Sequence, residues 1–219
     1  MFRTKEQWGP YLSSMPKEGP AIRGLEFLDS GYKTWMALKE YAPMSEISSV
    51  LDIGCGHGRM AVPLIDSDTE YLGIDIIPSM IEWADKAFKP WNNIRFQRAP
   101  IYNSMYNPSG ITPLKFVIPS EIDSFDVVFG LSVFTHIESI TAVTRYLQEM
   151  RRVLKKHGKC IVTWFTSPPN ELSSNARRTV FSKEEILKTI ESVKFEVVHS
   201  YGGDSINWHD QYVTVLEYA

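Results

Sequence analysis

The chain has little cysteine, no long apolar run and no excess of charge, and each shortage closes off a class of protein. Two cysteines, Cys55 and Cys160, in 219 residues are too few for a disulfide framework, and their spacing is unlike that of a zinc site. A reducing compartment is implied, so a cytoplasmic location is expected. No apolar stretch approaches the roughly 18–20 residues that cross a bilayer. The opening MFRTKEQWGP also lacks the apolar core of a signal peptide, so neither a membrane span nor secretion is expected. Lys plus Arg number 23 against 26 Asp plus Glu, a formal net charge of −3, which leaves no basic field to gather nucleic acid or anionic lipid. What remains, with 43% hydrophobic residues, is the composition of a globular protein large enough to bury a substantial core.

Residues 1–24 carry Gly9, Pro10, Pro16, Gly19, Pro20 and Gly24, which predict an irregular arm or lid. A helical pattern runs from Ser30 to Ala42 and stops at Pro43. Short apolar runs then predict seven strands, at 49–53, 70–76, 94–97, 125–129, 160–165, 195–199 and 212–216. Between them the pattern is helical: Met60 to Ile65, with Pro63 in the first turns; the stretch opened by Pro78; the stripe Ile140, Val143, Leu147, Met150, Leu154, ended by Gly158; and the segment capped by Ser182 with Glu185. Alternation of single strands and helices implies right-handed crossovers. The expected fold is therefore α/β: a single-domain, doubly wound, mostly parallel seven-stranded sheet with helices on both faces. The last two strands have no helix between them, so the last strand is expected to be antiparallel. Residues 1–44 form the expected arm and helix, and 45–219 the domain, with an insertion at 99–124.

The densest signal is LDIGCGHGR, residues 51–59. Ligands of such sheets bind beyond the carboxyl ends of the strands, where a glycine loop follows the first strand. Gly54, Gly56 and Gly58 allow a sharp turn and a close backbone approach to a ligand. Asp75 follows Gly54 by 21 residues, at the end of the second strand, where a carboxylate accepts two hydrogen bonds from a ribose diol. A ligand with an adenosine-like ribose is expected. The dinucleotide pattern G-x-G-x-x-G needs a third glycine where this chain has Arg59, which disfavours a nicotinamide dehydrogenase. The spacing here is G-x-G-x-G after the acidic strand end Asp52.

That spacing resembles the S-adenosylmethionine (SAM) loop of class I, Rossmann-like SAM-dependent methyltransferases. VLDIGCGHGR is similar to the family's first motif, YLGIDI to its second, SFDVVFGLSVFTH to the fourth-strand motif and YLQEMRRVLKKHGKCIVTWF to the helix and strand that follow. The segments FTHIE, YNPSG and RVLKKHGK point to small methyltransferases, some of them acting in glycan or natural-product modification. The resemblance implies that Asp52 to Gly58 grip SAM, with backbone of Gly54 and Cys55 at its methionine portion. It implies further that Asp75 binds the ribose hydroxyls and Ile76 packs on adenine. Where many relatives have an acid for the adenine amino group this chain has Pro100, so backbone of Ala99 or Ile101 is expected there. Gly130, Leu131 and Ser132 are expected to border the methionine chain and the acceptor.

Several roles have a plainer alternative. His136 follows the fourth strand and is placed to take a hydroxyl proton as a general base, or else to hold a loop by hydrogen bonding. His209, beside Asp210, is a candidate at the mouth of the site, and Tyr102, Tyr106 and Trp91 are candidates to stack on an acceptor or to pack the insertion. Arg177 and Arg178 are candidates for an anionic group or for solvation. His57 reads as solvent-facing, while Cys55 and Cys160 read as packed small residues. No metal-ligand cluster is visible. The expected activity is SAM-dependent methylation of a small-molecule or glycan-type acceptor, at a hydroxyl oxygen; the alternatives are N-methylation of a small amine and SAM binding without methylation.

Overall fold

The structure is a computed structural model, and it describes residues 5–17, 24–41, 47–165, 179–202 and 211–219. The chain divides into two compact units, Met1–Pro100 and Ile101–Ala219.

The first unit contains α1 (Lys5–Ser13), α2 (Leu25–Tyr41), β1 (Ser49–Ile53), a 3-10 helix (Arg59–Leu64), β2 (Glu70–Asp75), α3 (Pro78–Phe88) and β3 (Ile94–Arg98). β2 pairs in parallel with β1 on one side and β3 on the other. The expected irregular arm is in part a helix: α1 runs through both Gly9 and Pro10. A proline inside a helix costs about 3 kcal/mol, and packing offsets it. Trp8 is 3% exposed, stacks on Trp91 at 6.0 Å and meets the Phe88 ring edge-on at 5.4 Å. The Trp83 indole N–H donates to the Tyr11 carbonyl at 2.9 Å. α2 begins before the predicted Ser30 because Phe27 and Leu28, both buried, extend its apolar face toward the N-terminus. Pro63 lies within the 3-10 helix rather than in an α-helix.

The second unit contains β4 (Phe125–Gly130), α4 (Ile140–Val153), β5 (Leu154–Trp164), α5 (Lys183–Ser192), β6 (Phe195–Tyr201) and β7 (Tyr212–Tyr218). β4 and β5 are parallel, and β7 runs antiparallel to both β5 and β6. Gly158 does not end α4. The helix stops at Val153 and passes directly into β5, which contains Gly158, with the register against β4 shifting between Phe125 and Val127. A Cβ at Gly158 would lie 2.8 Å from the Asp126 carbonyl oxygen, so this glycine permits a close strand approach. α5 carries the expected capping box: the Ser182 hydroxyl receives the Glu185 N–H while the Glu185 carboxylate receives the Ser182 N–H.

The insertion is tied to α4. Ile118 N–H donates to Glu149 Oε2 at 3.0 Å, Arg152 donates to the Ile118 and Ser120 carbonyls, and Phe116 stacks on Tyr146 at 4.1 Å. The seven strands are mostly parallel, in the order β3-β2-β1 in the first unit and β4-β5-β7-β6 in the second. Among the described residues no helix is long and apolar enough to cross a membrane.

Candidate active site

In the first unit the glycine loop leaves the carboxyl end of β1 with Gly54, Gly56 and Gly58 all left-handed, at φ 71°, 55° and 78°. The N–H groups of Gly54 and Cys55 donate to the Ile74 carbonyl at 2.8 and 3.1 Å, which fastens the loop to β2 and spends those donors within the protein. Asp75 closes the turn. Its Oδ2 accepts from Gly56 N–H at 2.8 Å and its Oδ1 from Ile77 N–H at 2.9 Å. Sequence spacing thus corresponds to contact: this carboxylate joins the Ile74 carbonyl in holding the end of β2 to the glycine loop. Burial raises Asp75 above the usual carboxylate range, while the backbone N–H groups oppose that shift. Each carboxylate oxygen has a second lone pair, so the clasp leaves capacity for further donors.

Ile76 is half-buried beside this clasp. Ala99 is close too, its N–H donating to the Asp75 carbonyl at 2.8 Å, so that donor is already used and only its carbonyl remains. His57 is 3% exposed, with its ring edge-on to Trp83 at 5.4 Å; the solvent-facing expectation is corrected. Trp91 is occupied by Trp8 and donates to Asp66 Oδ1 at 3.1 Å. The Cys55 thiol is pushed well up by burial and by the charges of Asp75 and Asp52, which keeps it protonated and unreactive.

Asp52 is 3% exposed. Its Oδ2 accepts the Tyr71 hydroxyl at 2.6 Å, and no other hydrogen bond reaches its carboxylate among the described residues. Burial pushes it up to about 7, against the pull of Tyr71 and Arg59. Tyr71 opens the YLGIDI segment, but its bond to Asp52 was not read from the sequence.

In the second unit Gly130 ends β4, Leu131 is buried, and Ser132 adopts a left-handed φ of 58°. Its N–H donates to Thr163 Oγ1 at 2.7 Å, and its hydroxyl lies 3.0 Å from Nε2 of the buried Gln211. A non-glycine residue in that conformation is a mark of strain that commonly accompanies function. His136 presents its ring edge-on to Tyr106 at 5.4 Å, and its carbonyl accepts from Asn103 Nδ2 at 2.9 Å. These two candidates are brought together. Tyr102 is 38% exposed, its N–H bonded to the Ile111 carbonyl at 2.7 Å, and it joins no ring contact among the described residues. Ile101 is buried in the insertion, its carbonyl taken by Asn107 Nδ2 at 2.9 Å. His209, Arg177 and Arg178 lie outside the described residues. Among the described residues no cluster of metal-ligating side chains occurs.

Residues 51–162, just over half of the chain, match the family described as a methyltransferase domain, and the chain belongs to it. Its family and fold are those of class I, Rossmann-like SAM-dependent methyltransferases. The chain is 26% identical over 153 residues to a 2-phytyl-1,4-naphtoquinone methyltransferase of Trichormus variabilis, a match that covers 63% of this chain and 59% of that protein. Among solved structures, the PH0226 protein of Pyrococcus horikoshii superposes with a TM-score of 0.67 at 23% identity, covering 96% of this chain and 99% of that one. SAM-bound CalS10 of Micromonospora echinaspora, an amino pentose methyltransferase, gives 0.61 at 13% identity, covering 86% and 91%. At these identities the two structures share the fold alone.

Proposed function

We propose that the protein moves a methyl group from SAM to a hydroxyl oxygen of a small-molecule or glycan-type acceptor, with SAM held by Asp52 to Gly58, Asp75 and Ile76. The observation that carries the cofactor side is the clasp of Asp75 on Gly56, which sets a ribose-binding carboxylate against a loop that a ligand can approach closely. The donor set suits SAM: left-handed glycines for close approach, a carboxylate for a diol, a half-buried Ile76 for a flat base and a second carboxylate, Asp52, for a cationic amino group. Ala99 remains the backbone candidate for the adenine edge through its carbonyl, and Ile101 contributes packing.

When bound, SAM supplies a methyl carbon on a positively charged sulfur, which leaves as a neutral thioether without needing a proton. Catalysis therefore rests on alignment and on exclusion of water. In the second unit Gly130, Leu131 and Ser132 would border the acceptor, Tyr106 and Tyr102 would offer aromatic faces, and a ring nitrogen of His136 would take the proton of the acceptor hydroxyl. The naphthoquinone-directed relative supports a small acceptor, as does the net charge of −3, which disfavours a polyanion. Isotope-labelled methyl from SAM, offered with 1,4-naphthoquinol, sugar and amine acceptors, is expected to enter a hydroxyl compound; transfer to amines alone overturns the oxygen assignment. Asp75→Ala is expected to weaken SAM binding at least tenfold by calorimetry, the scale of losing hydrogen bonds to a charged group, and unchanged affinity overturns the ribose role.

A further inference from the structure

Tyr71 does nothing in the cofactor reading above, yet it makes the shortest contact to Asp52. It sits in β2 directly across from Val50 of β1, is 1% exposed, and donates its hydroxyl to Asp52 Oδ2 at 2.6 Å. Three further ionisable groups bear on Asp52: the Arg59 guanidinium, the Asp75 carboxylate and the Cys55 thiol. Arg59 opens the 3-10 helix, in the position where a dinucleotide loop has its third glycine, and donates from Nη1 to Thr34 Oγ1 of α2 at 3.5 Å. His57, in the same loop, turns its ring to Trp83.

An ionised carboxylate offers about four acceptor sites, and Asp52 fills one among the described residues. A buried carboxylate so little satisfied is costly unless a cation completes it. The arrangement is half of an ion site, with one oxygen fixed by the protein.

We propose that Tyr71 is a positioning residue for cofactor binding, its hydroxyl fixing Oδ2 of Asp52 so that Oδ1 is left to meet the cationic amino-acid end of SAM. The inference rests on the SAM-binding role proposed for the glycine loop. It has a consequence in protons. Burial and the Asp75 charge push Asp52 up to about 7, and Tyr71 and Arg59 pull against them. With no cation beside it, Asp52 is therefore partly protonated near neutrality. A cation favours the ionised carboxylate, so binding expels that proton and affinity rises as pH rises through this range.

S-adenosylhomocysteine, which has the same amino-acid end, is the probe. Its affinity for the whole protein is measured by calorimetry from pH 6 to 8.5 in buffers of different ionisation enthalpy. The wild type is expected to bind more tightly at higher pH while releasing up to one proton. Tyr71→Phe is expected to lose about tenfold in affinity at pH 7, one hydrogen bond to a charged group, and to move the midpoint upward because a group that favoured the ionised form is gone. Asp52→Asn gives a flat profile. Arg59→Gln moves the midpoint in the same direction as Tyr71→Phe and serves as the test if that variant does not melt cooperatively. A Tyr71→Phe or Arg59→Gln profile that is merely parallel to the wild type, with an unmoved midpoint, overturns the proposal. If the wild type fails to bind at every pH, the cofactor reading of the loop falls, a result distinct from binding without a shift.

Discussion

At Gly58 two independent constraints fall on one residue. Its φ of 78° is left-handed, which costs a residue with a Cβ about 1–2 kcal/mol, and a Cβ there would sit 2.5 Å from Phe96 Cζ. The ring cannot swing away freely, because Phe96 packs at 5.3 Å from Phe88 and 5.7 Å from Tyr71, and overpacking of that kind costs a further 1–3 kcal/mol or so. Gly58→Ala is therefore expected to destabilise by about 3 kcal/mol and to lower the melting temperature by roughly 6–12 °C. Melting within about 2 °C of the wild type would show that the loop absorbs the methyl group. Gly58 and Asp75 were visible in the sequence because a motif fixes their spacing. Tyr71 and Gln211 were not, since each meets its partner only through tertiary structure, Tyr71 from 19 residues away and Gln211 from 79. Ser132 was named for its place after β4, but not for its left-handed backbone, which a serine does not announce as a glycine does.

Between elements, α2 lies close against the 3-10 helix at Gly31. A Cβ at Gly31 would lie 2.2 Å from the Arg59 carbonyl oxygen, a backbone atom that cannot rotate aside. In an open helix, alanine for glycine gains about 1 kcal/mol from propensity; here the clash exceeds that gain, and Gly31→Ala is expected to lower the melting temperature by about 5 °C or more. Gly9→Ala, in α1, meets nothing within 4 Å and is expected to be neutral or to raise it by a degree or two. Equal shifts from the two substitutions would show that propensity, not packing, governs both sites. The same balance explains what the sequence hid. β1, α3 and the capping box of α5 obey local rules and were legible. The helix through Pro10 depends on Trp8 finding Trp91 and Phe88, and the direct passage from α4 into β5 depends on the bulged register against β4; neither partner is visible from within the segment.

Across the whole molecule, acidity works on two populations of carboxylates with opposite sign. Glu149, held by Arg152, the Ile118 N–H and Arg145, and Glu185, in its capping box, lie below their usual value, so they favour the fold above the normal carboxylate range and lose that contribution as pH falls through it. Asp52 and Asp75 lie above theirs. For these the folded chain takes up protons that the unfolded chain has already released, so stability falls as pH rises from the normal carboxylate range; for Asp52 that fall runs to about 7 and its penalty is full above it. The two trends place the ligand-free optimum at mildly acidic pH, about 5–6. Melting is expected to be roughly 3–5 °C higher at pH 6 than at pH 8, on the order of 1 kcal/mol from a group with a midpoint of about 7. Asp52→Asn keeps the shape and the Tyr71 partner but removes the titration, so its melting temperatures at the two pH values should converge while the wild-type values stay apart. If the variant retains the full difference, the buried acid of β1 is not its source. If the difference collapses, the carboxylate placed to meet the cofactor is also the one that costs the empty protein stability, and saturating S-adenosylhomocysteine should then stabilise the wild type more at pH 8 than at pH 6.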